Sequence, residues 1–339
     1  MKTLWYILPF IILFQSNAQL SDFGTINFYK ADSIALAYKN EGLNNLPQLS
    51  HKLTSNLKTE IEKFRAIYFW VCTNIANDYN LYQKNSRKRQ QLHHQTEKLN
   101  AWNERVKKEI FRKLLKRKKT ICTGYAYIVK ELSELANLNC VIVNGYGRTS
   151  TTDINKLNIP NHSWNAIKLN NKWYLCDPTW ASGIPDPESN TFVFKYNNGY
   201  FLTTPKLFAI NHYPIDTKWL LLNTKTLTFK TFIEAPIIYS KAYTNLTLHE
   251  APQKMHHIIP KGEIIDFKYT LLKPTEEKSI SLLIDDGYNS KTIHPENTSI
   301  KNLNLSFNHQ FNTTGFYDIH LYIKEDLIAT YTFKVEDIN

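Results

Sequence analysis

One stretch constrains the fold of this chain more than any other. It runs His162-Ser163-Trp164-Asn165-Ala166-Ile167-Lys168-Leu169, through Asn170-Asn171-Lys172, to Trp173-Tyr174-Leu175-Cys176-Asp177-Pro178. Residues 164–169 and 173–176 are short and rich in strand formers, and the three residues between them have turn composition, so the pattern predicts an antiparallel hairpin. His162 precedes the first strand and Asp177 ends the second. The two are expected side by side across the ladder, with the carboxylate in reach of an imidazole N–H. Upstream, Cys122-Thr123-Gly124-Tyr125-Ala126 opens a run with apolar residues at 125, 128, 129, 132 and 135, the spacing of a helix buried on one side. Cys122 stands in its first turn. There the open backbone N–H groups and the positive helix end favour a thiolate and are suited to hold an oxyanion.

Taken singly, each of these residues has an ordinary reading: Cys122 as a packed core thiol, His162 as a hydrogen-bonded loop residue, Asp177 before proline as a turn former. Together they have the composition of a nucleophile, a base and the group that holds the base in one tautomer. At Cys122-Thr123-Gly124-Tyr125-Ala126, His162-Ser163-Trp164-Asn165 and Asp177-Pro178-Thr179-Trp180 the chain resembles the transglutaminase-like superfamily, a papain-related group, and more narrowly its kyphoscoliosis-peptidase-like branch in secreted bacterial proteins. Tyr200-Phe201-Leu202-Thr203-Thr204-Pro205, His212-Tyr213-Pro214 and Trp219-Leu220-Leu221-Leu222 extend the resemblance, which covers about residues 50 to 230. It implies that Cys122 is the nucleophile, His162 the base and Asp177 the orienting acid. It also implies acyl transfer from a protein or peptide amide, with hydrolysis preferred over crosslinking because the branch is peptidase-like. The competing class is a non-catalytic envelope-binding or scaffold protein with a vestigial cleft.

The expected fold is α+β: a papain- or transglutaminase-like core, in which the Cys122 helix packs on an antiparallel sheet, followed by an immunoglobulin-like β-sandwich. Residues 1–18 read as a signal peptide, with Lys2, an apolar run from Leu4 to Phe14 and Ser16-Asn17-Ala18 before Gln19. Export to the periplasm or medium follows, without a transmembrane anchor after cleavage, since that run is shorter than the roughly 20 residues a span needs. Residues 19–50 read as an entry segment with one helix over 33–39, residues 51–229 as the core, and residues 230–339 as the sandwich. A helix is expected over 59–76. Strands are expected at 140–143 and, in the sandwich, at 237–239, 246–248, 264–272, 280–284, 303–307, 317–323 and 329–335. With 42% hydrophobic and 13% aromatic residues, disorder is excluded.

Residues 82–119 carry fourteen Lys or Arg against three Glu, a surplus of +11 that equals the net charge of the whole chain. Leu99, Trp102, Val106, Ile110, Leu114 and Leu115 recur at helical spacing within it, predicting one basic amphipathic helix. It reads either as a solvated cover for the core or as a cleft flank that attracts an acidic partner or envelope surface; nucleic acid is disfavoured because no recognition motif accompanies the charge. No cofactor is implied, and no metal: the eleven histidines fall into no H-E-x-x-H frame and there is neither a C-x-x-C nor an EF-hand loop. Cys72, Cys140 and Cys176 have apolar neighbours and read as free, buried thiols. A second oxyanion donor is sought upstream of Cys122, where Trp70 and Tyr79 are the candidates, with a core role preferred for each.

Overall fold

Thr59 and Glu62 begin the helix around which the N-terminal half packs. The Glu62 N–H donates to the Thr59 hydroxyl at 3.3 Å and the Thr59 N–H donates to the Glu62 carboxylate at 3.1 Å, a reciprocal cap for two donors that a helix start leaves open. The computed structural model describes residues 20–186, 191–222 and 227–337, so the expected signal peptide at 1–18 lies outside the described residues. In the segment expected to be a polar entry with one short helix, two helices form, Tyr29–Ala37 (α1) and Leu46–Thr54 (α2). They bury Ala31, Ala35, Leu49 and Leu53 against Glu60–Asn74 (α3). Arg65 of α3 clamps Asp32 of α1 through Nε at 2.6 Å and Nη2 at 2.9 Å. These residues belong to the core because small and leucine side chains on two short helices meet one face of α3.

The basic segment is two helices, Tyr79–Gln91 (α4) and Thr96–Arg117 (α5), where one was expected. Trp102 Nε1 donates to Asn85 Oδ1 at 2.9 Å across the pair, and Lys113 donates to Asp78 at 2.7 Å. Leu81, Leu92, Trp102, Val106, Ile110 and Ile121 make a satellite cluster of their own. Leu115, expected on that stripe, is 42% exposed instead. A parallel pairing of Ala76–Asn77 (β1) with Lys119–Thr120 (β2) closes the base of this hairpin. It delivers the chain directly into Cys122–Leu135 (α6).

Helix α6 packs on an antiparallel sheet built from Asn139–Gly147 (β3), His162–Leu169 (β4) and Lys172–Cys176 (β5), with the strand His212–Pro214 on the far side of β3. The expected hairpin is β4–β5. Asn170 and Asn171 turn it with φ of 47° and 65°, a region that asparagine tolerates better than most residues. Asn165, fully buried, ties helix to sheet: its Nδ2 donates to Ala126 O at 2.9 Å and to Val141 O at 3.2 Å. Gly124 sets the start of α6 against β2, since a Cβ there would lie 1.9 Å from Thr120 Oγ1.

Beyond Ala235 the chain builds two sheets that face each other. One orders the strands Leu246–Ala251, Ile264–Leu271, Asn304–Gln310 and Ser299–Lys301; the other orders His256–Pro260, Asp326–Glu336, Gly315–Ile323, Ile280–Asp285 and Ser290–Ile293. Phe267 of the first meets the edge of Tyr331 of the second at 5.5 Å, and Tyr269 and Tyr331 share a hydroxyl contact at 2.7 Å. The sheet-rich C-terminal region is the expected sandwich. Strands at 256–260, 290–293 and 299–301 were not anticipated, because they lie at sheet edges with few buried residues and so show no alternation.

The contact under α6 is open to a direct check. Gly124→Ala is expected to lower the unfolding free energy by about 1–3 kcal/mol, the usual range for forcing a methyl into a packed site. Urea denaturation measures this, and an unchanged midpoint would show that Thr120 can move aside.

Candidate active site

The sites of chemistry start from strand register. Asn165 lies opposite Cys176 in the β4–β5 ladder. One step further, Trp164 rather than His162 would face Asp177. His162 and Asp177 are therefore diagonal neighbours on one face, not the directly opposed pair that the hairpin alone suggests, and the reach of the imidazole closes the gap. His162 Nε2 donates to Asp177 Oδ2 at 2.6 Å. Asp177 is fully buried and also caps the short helix Pro178–Ser182 (α7), its Oδ1 accepting from the Thr179 N–H at 2.8 Å and the Trp180 N–H at 3.1 Å.

Since Nε2 of His162 is committed to Asp177, Nδ1 is the ring nitrogen left for Cys122, whose sulfur lies within the electrostatic influence of that imidazole and of the Ser163 N–H. Cys122 is 7% exposed at the first position of α6. The ladder of that helix begins with the Gly124 and Tyr125 N–H groups both donating to Ile121 O, so the N–H groups of Cys122 and Thr123 lie ahead of it. The structure thus brings the three sequence-predicted residues together. Burial alone would push the Cys122 thiol up, but the His162 hydrogen bond and charge and the Ser163 N–H outweigh it and hold the thiol below its ordinary value. Burial likewise opposes charge on His162, yet the Asp177 carboxylate and the Cys122 sulfur raise it to about 10. Asp177 is desolvated, but the two imidazoles beside it keep its carboxyl well below the usual carboxylate range. The arrangement suits a thiolate–imidazolium pair backed by a carboxylate. The other three cysteines are buried and unpaired, and burial pushes their thiols up, Cys140 to about 12.

Glycine makes room for this pair. Gly145 and Gly147 of β3 lie opposite His162 and His212 respectively, and a Cβ on Gly147 would stand 2.9 Å from His162 Cβ. Asn161 pins the start of β4 by a double bridge: the Gly147 N–H donates to its Oδ1 at 2.7 Å and its Nδ2 donates to Gly147 O at 2.9 Å. Trp180 stacks on His162 with centroids 4.9 Å apart, whereas Trp164 is wholly enclosed. Trp70, considered as an oxyanion donor, gives its Nε1–H to Tyr38 O at 2.8 Å inside the core, and Tyr79 stacks on Tyr82.

Two features were not singled out from the sequence. His212 sends Nε2 to the same Asp177 oxygen at 3.0 Å. It was noted only inside a longer motif, and nothing in its local pattern reveals a partner 35 residues away. The second feature is α4 beside the sulfur. Arg89 Nη1 donates to Pro160 O at 2.8 Å, and the Cys122 charge acts on both Arg89 and Tyr82. Arg89 is lowered by burial, an effect that Cys122 partly offsets, and Tyr82 is raised by burial first. Among the described residues, His162, Asp177 and His212 also bring ligand-type atoms within 4.8 Å of one another. Both imidazole contacts to Asp177 are hydrogen bonds that occupy those atoms, so the set is a proton-bonded cluster rather than an open ligand frame.

The charge states carry a sign. Because the folded pKa of His162 is raised, its contribution to stability is fully present below the ordinary histidine value of about 6.5 and is lost as pH rises toward about 10. Asp177, depressed, contributes above about 3.9 and loses that contribution as pH falls. Nitrogen NMR should accordingly find the His162 ring doubly protonated at about pH 8, where an ordinary histidine is neutral. Cys122→Ala should lower that pKa, and a neutral ring in the unaltered protein would contradict the ion pair.

Part of the chain is similar to known proteins. Residues 47–178 match the family model described as "Transglutaminase-like superfamily". Human kyphoscoliosis peptidase is 32% identical over 205 residues, covering 60% of this chain and 27% of that protein. The mouse protein is 33% identical over 179 residues, covering 52% and 24%. Hillarin of Drosophila melanogaster is 24% identical over 229 residues, covering 63% and 25%. This chain therefore spans about a quarter of the length of these relatives. A solved structure described as "Crystal structure of a TGase" aligns at 15% identity and a TM-score of 0.28, over 57% of this chain and 40% of that one. The family match covers residues 47–178, the stretch that runs from α2 through α6 and the β4–β5 hairpin to Asp177.

Proposed function

We propose that this protein is a cysteine enzyme that transfers acyl groups from protein or peptide amides, and that water is its usual acceptor. The observation that carries the reading is the buried His162 Nε2–Asp177 Oδ2 bond at 2.6 Å, with Cys122 at the first position of α6 under the influence of the same ring; the thiol is held down there, whereas burial pushes the other three cysteines up. In this reading the Cys122 thiolate attacks the amide carbonyl and forms a C–S bond. The oxyanion is held by N–H groups at the start of α6. His162 gives its Nδ1 proton to the departing amine as the C–N bond breaks, then takes a proton from water as that water adds to the thioester carbonyl; the C–S bond breaks, the carboxylic acid leaves, and the Cys122 thiolate is restored beside a protonated His162. Asp177 keeps the ring in orientation throughout.

Hydrolysis is favoured over amine transfer because two relatives that are 32% and 33% identical over this region carry the name peptidase. The α4–α5 hairpin supports an acidic substrate segment or partner, since Lys84, Arg87 and Lys88 on α4 share an open groove with Trp102 and Arg89 lies within the field of the sulfur. Export is part of the same proposal and rests on the Met1–Ala18 pattern. Among the described residues no helix is long and apolar enough to cross a membrane.

Three measurements test the reading. Iodoacetamide should alkylate Cys122 at about pH 6, well below the ordinary thiol value, and His162→Ala should abolish this; slow, equal labelling of all four cysteines would favour a scaffold with a vestigial cleft. Casein cleavage should exceed amine incorporation, vanish in Cys122→Ala and fall by about 10²- to 10⁴-fold in Asp177→Asn. N-terminal sequencing of the exported protein should begin at Gln19, and retention of Met1 would remove export from the proposal.

A further inference from the structure

His212 is the buried histidine to which the acyl-transfer reading gives no task. Its ring stacks on Phe208 at 3.8 Å and lies 4.3 Å from Trp180 and 5.1 Å from Trp164. Nε2 is 3.0 Å from Asp177 Oδ2, the oxygen that also accepts from His162, and Nδ1 is 3.2 Å from Phe208 O. The titratable groups facing the ring are Asp177 and His162; the aromatic walls carry no charge.

A neutral imidazole has a single N–H for these two acceptors. On Nδ1 it would leave a lone pair aimed at a carboxylate. On Nε2 it meets that full charge at the shorter distance and leaves the lone pair near only a carbonyl dipole, so the Nε2–H tautomer prevails. A cationic ring would satisfy both acceptors, but it would set a second positive charge 5.6 Å from the protonated His162 around one carboxylate. Burial opposes this and draws the His212 pKa down to about 4.

We propose that His212 is a positioning residue: from the strand on the opposite side of β3 it donates Nε2–H to Asp177 Oδ2, locking the carboxylate so that His162 presents Nδ1 to Cys122. The proposal rests on the reading of Cys122, His162 and Asp177 as the reacting centre. Two backbone N–H groups hold Oδ1 and His212 holds Oδ2, so the carboxylate is fixed before His162 is counted. Without His212, Oδ2 is free to shift, its grip on His162 weakens, the imidazolium gives up its proton at lower pH, and the Cys122 thiol ionises only at higher pH.

The test is the pH profile of Cys122 alkylation, which needs no substrate. His212→Phe fills the ring's space without a donor; His212→Gln returns an N–H near the position of Nε2. His212→Phe is expected to move the alkylation midpoint toward the ordinary thiol value of about 8.5 and to slow amide turnover by about 10- to 100-fold, and His212→Gln to restore most of both. A wild-type profile in His212→Phe, activity lost without a shift in the profile, or a glutamine variant no better than phenylalanine would overturn the proposal. Nitrogen NMR of the unaltered protein decides the case even if the variants do not fold. His212 should be the neutral Nε2–H tautomer from about pH 5 to 8, and a doubly protonated or Nδ1–H ring in that range would refute it. If Cys122 of the unaltered protein alkylates no faster at acid pH than a free thiol, the enzyme reading fails, whereas the tautomer still judges His212 by itself.

Discussion

A carboxylate removed from water is costly unless its oxygens are saturated with donors. Asp177 meets that condition from four directions: two backbone N–H groups at the start of α7, His162 from β4 and His212 from the edge strand. The donors arrive on three pieces of backbone: α7, β4 and the edge strand. The charge therefore fixes where the hairpin ends, where α7 begins and how close the two histidine strands must lie. Removing any one of these supports would leave a buried anion short of a partner, and Gly147 of β3 gives the His162 ring the room it needs to reach that anion.

The same anion sets the electrostatics of the sulfur. By raising His162 it makes a proton donor of a ring that burial would otherwise neutralise, and that ring in turn lowers Cys122. The other cysteines show the alternative. Cys72, Cys140 and Cys176 have similar burial and no cationic hydrogen-bond donor, and their thiols move upward. The direction in which each thiol moves in this core thus follows from its neighbour, not from exposure.

Around this centre the rest of the chain acts as support. Arg65 joins α1 to α3 through Asp32, and Asn165 joins α6 to the sheet, so both the sulfur and the imidazole stand on rigid elements. The basic hairpin has its own small apolar cluster and is closed at the base by β1 and β2, which lets it carry a high charge without disturbing the main core. Through Arg89 Nη1, which donates to Pro160 O, it also touches the chain just ahead of β4.

Much of this was legible from local pattern. The hairpin was announced by Asn170-Asn171, the Cys122 helix by its apolar spacing, and the sandwich by alternation, because each depends on residues close along the chain. The limits fall where contact is remote or pattern is weak. One helix was expected in the basic segment because charge hides the break at 92–95, and edge strands with few buried residues show no alternation. By itself, the sequence determined most of the elements and singled out Cys122, His162 and Asp177 as candidates for the site. Tertiary structure alone decided that His162 meets Asp177 on the diagonal and that His212 reaches the same oxygen, since register and the approach of separate strands are set by packing and by the need of a buried charge for partners.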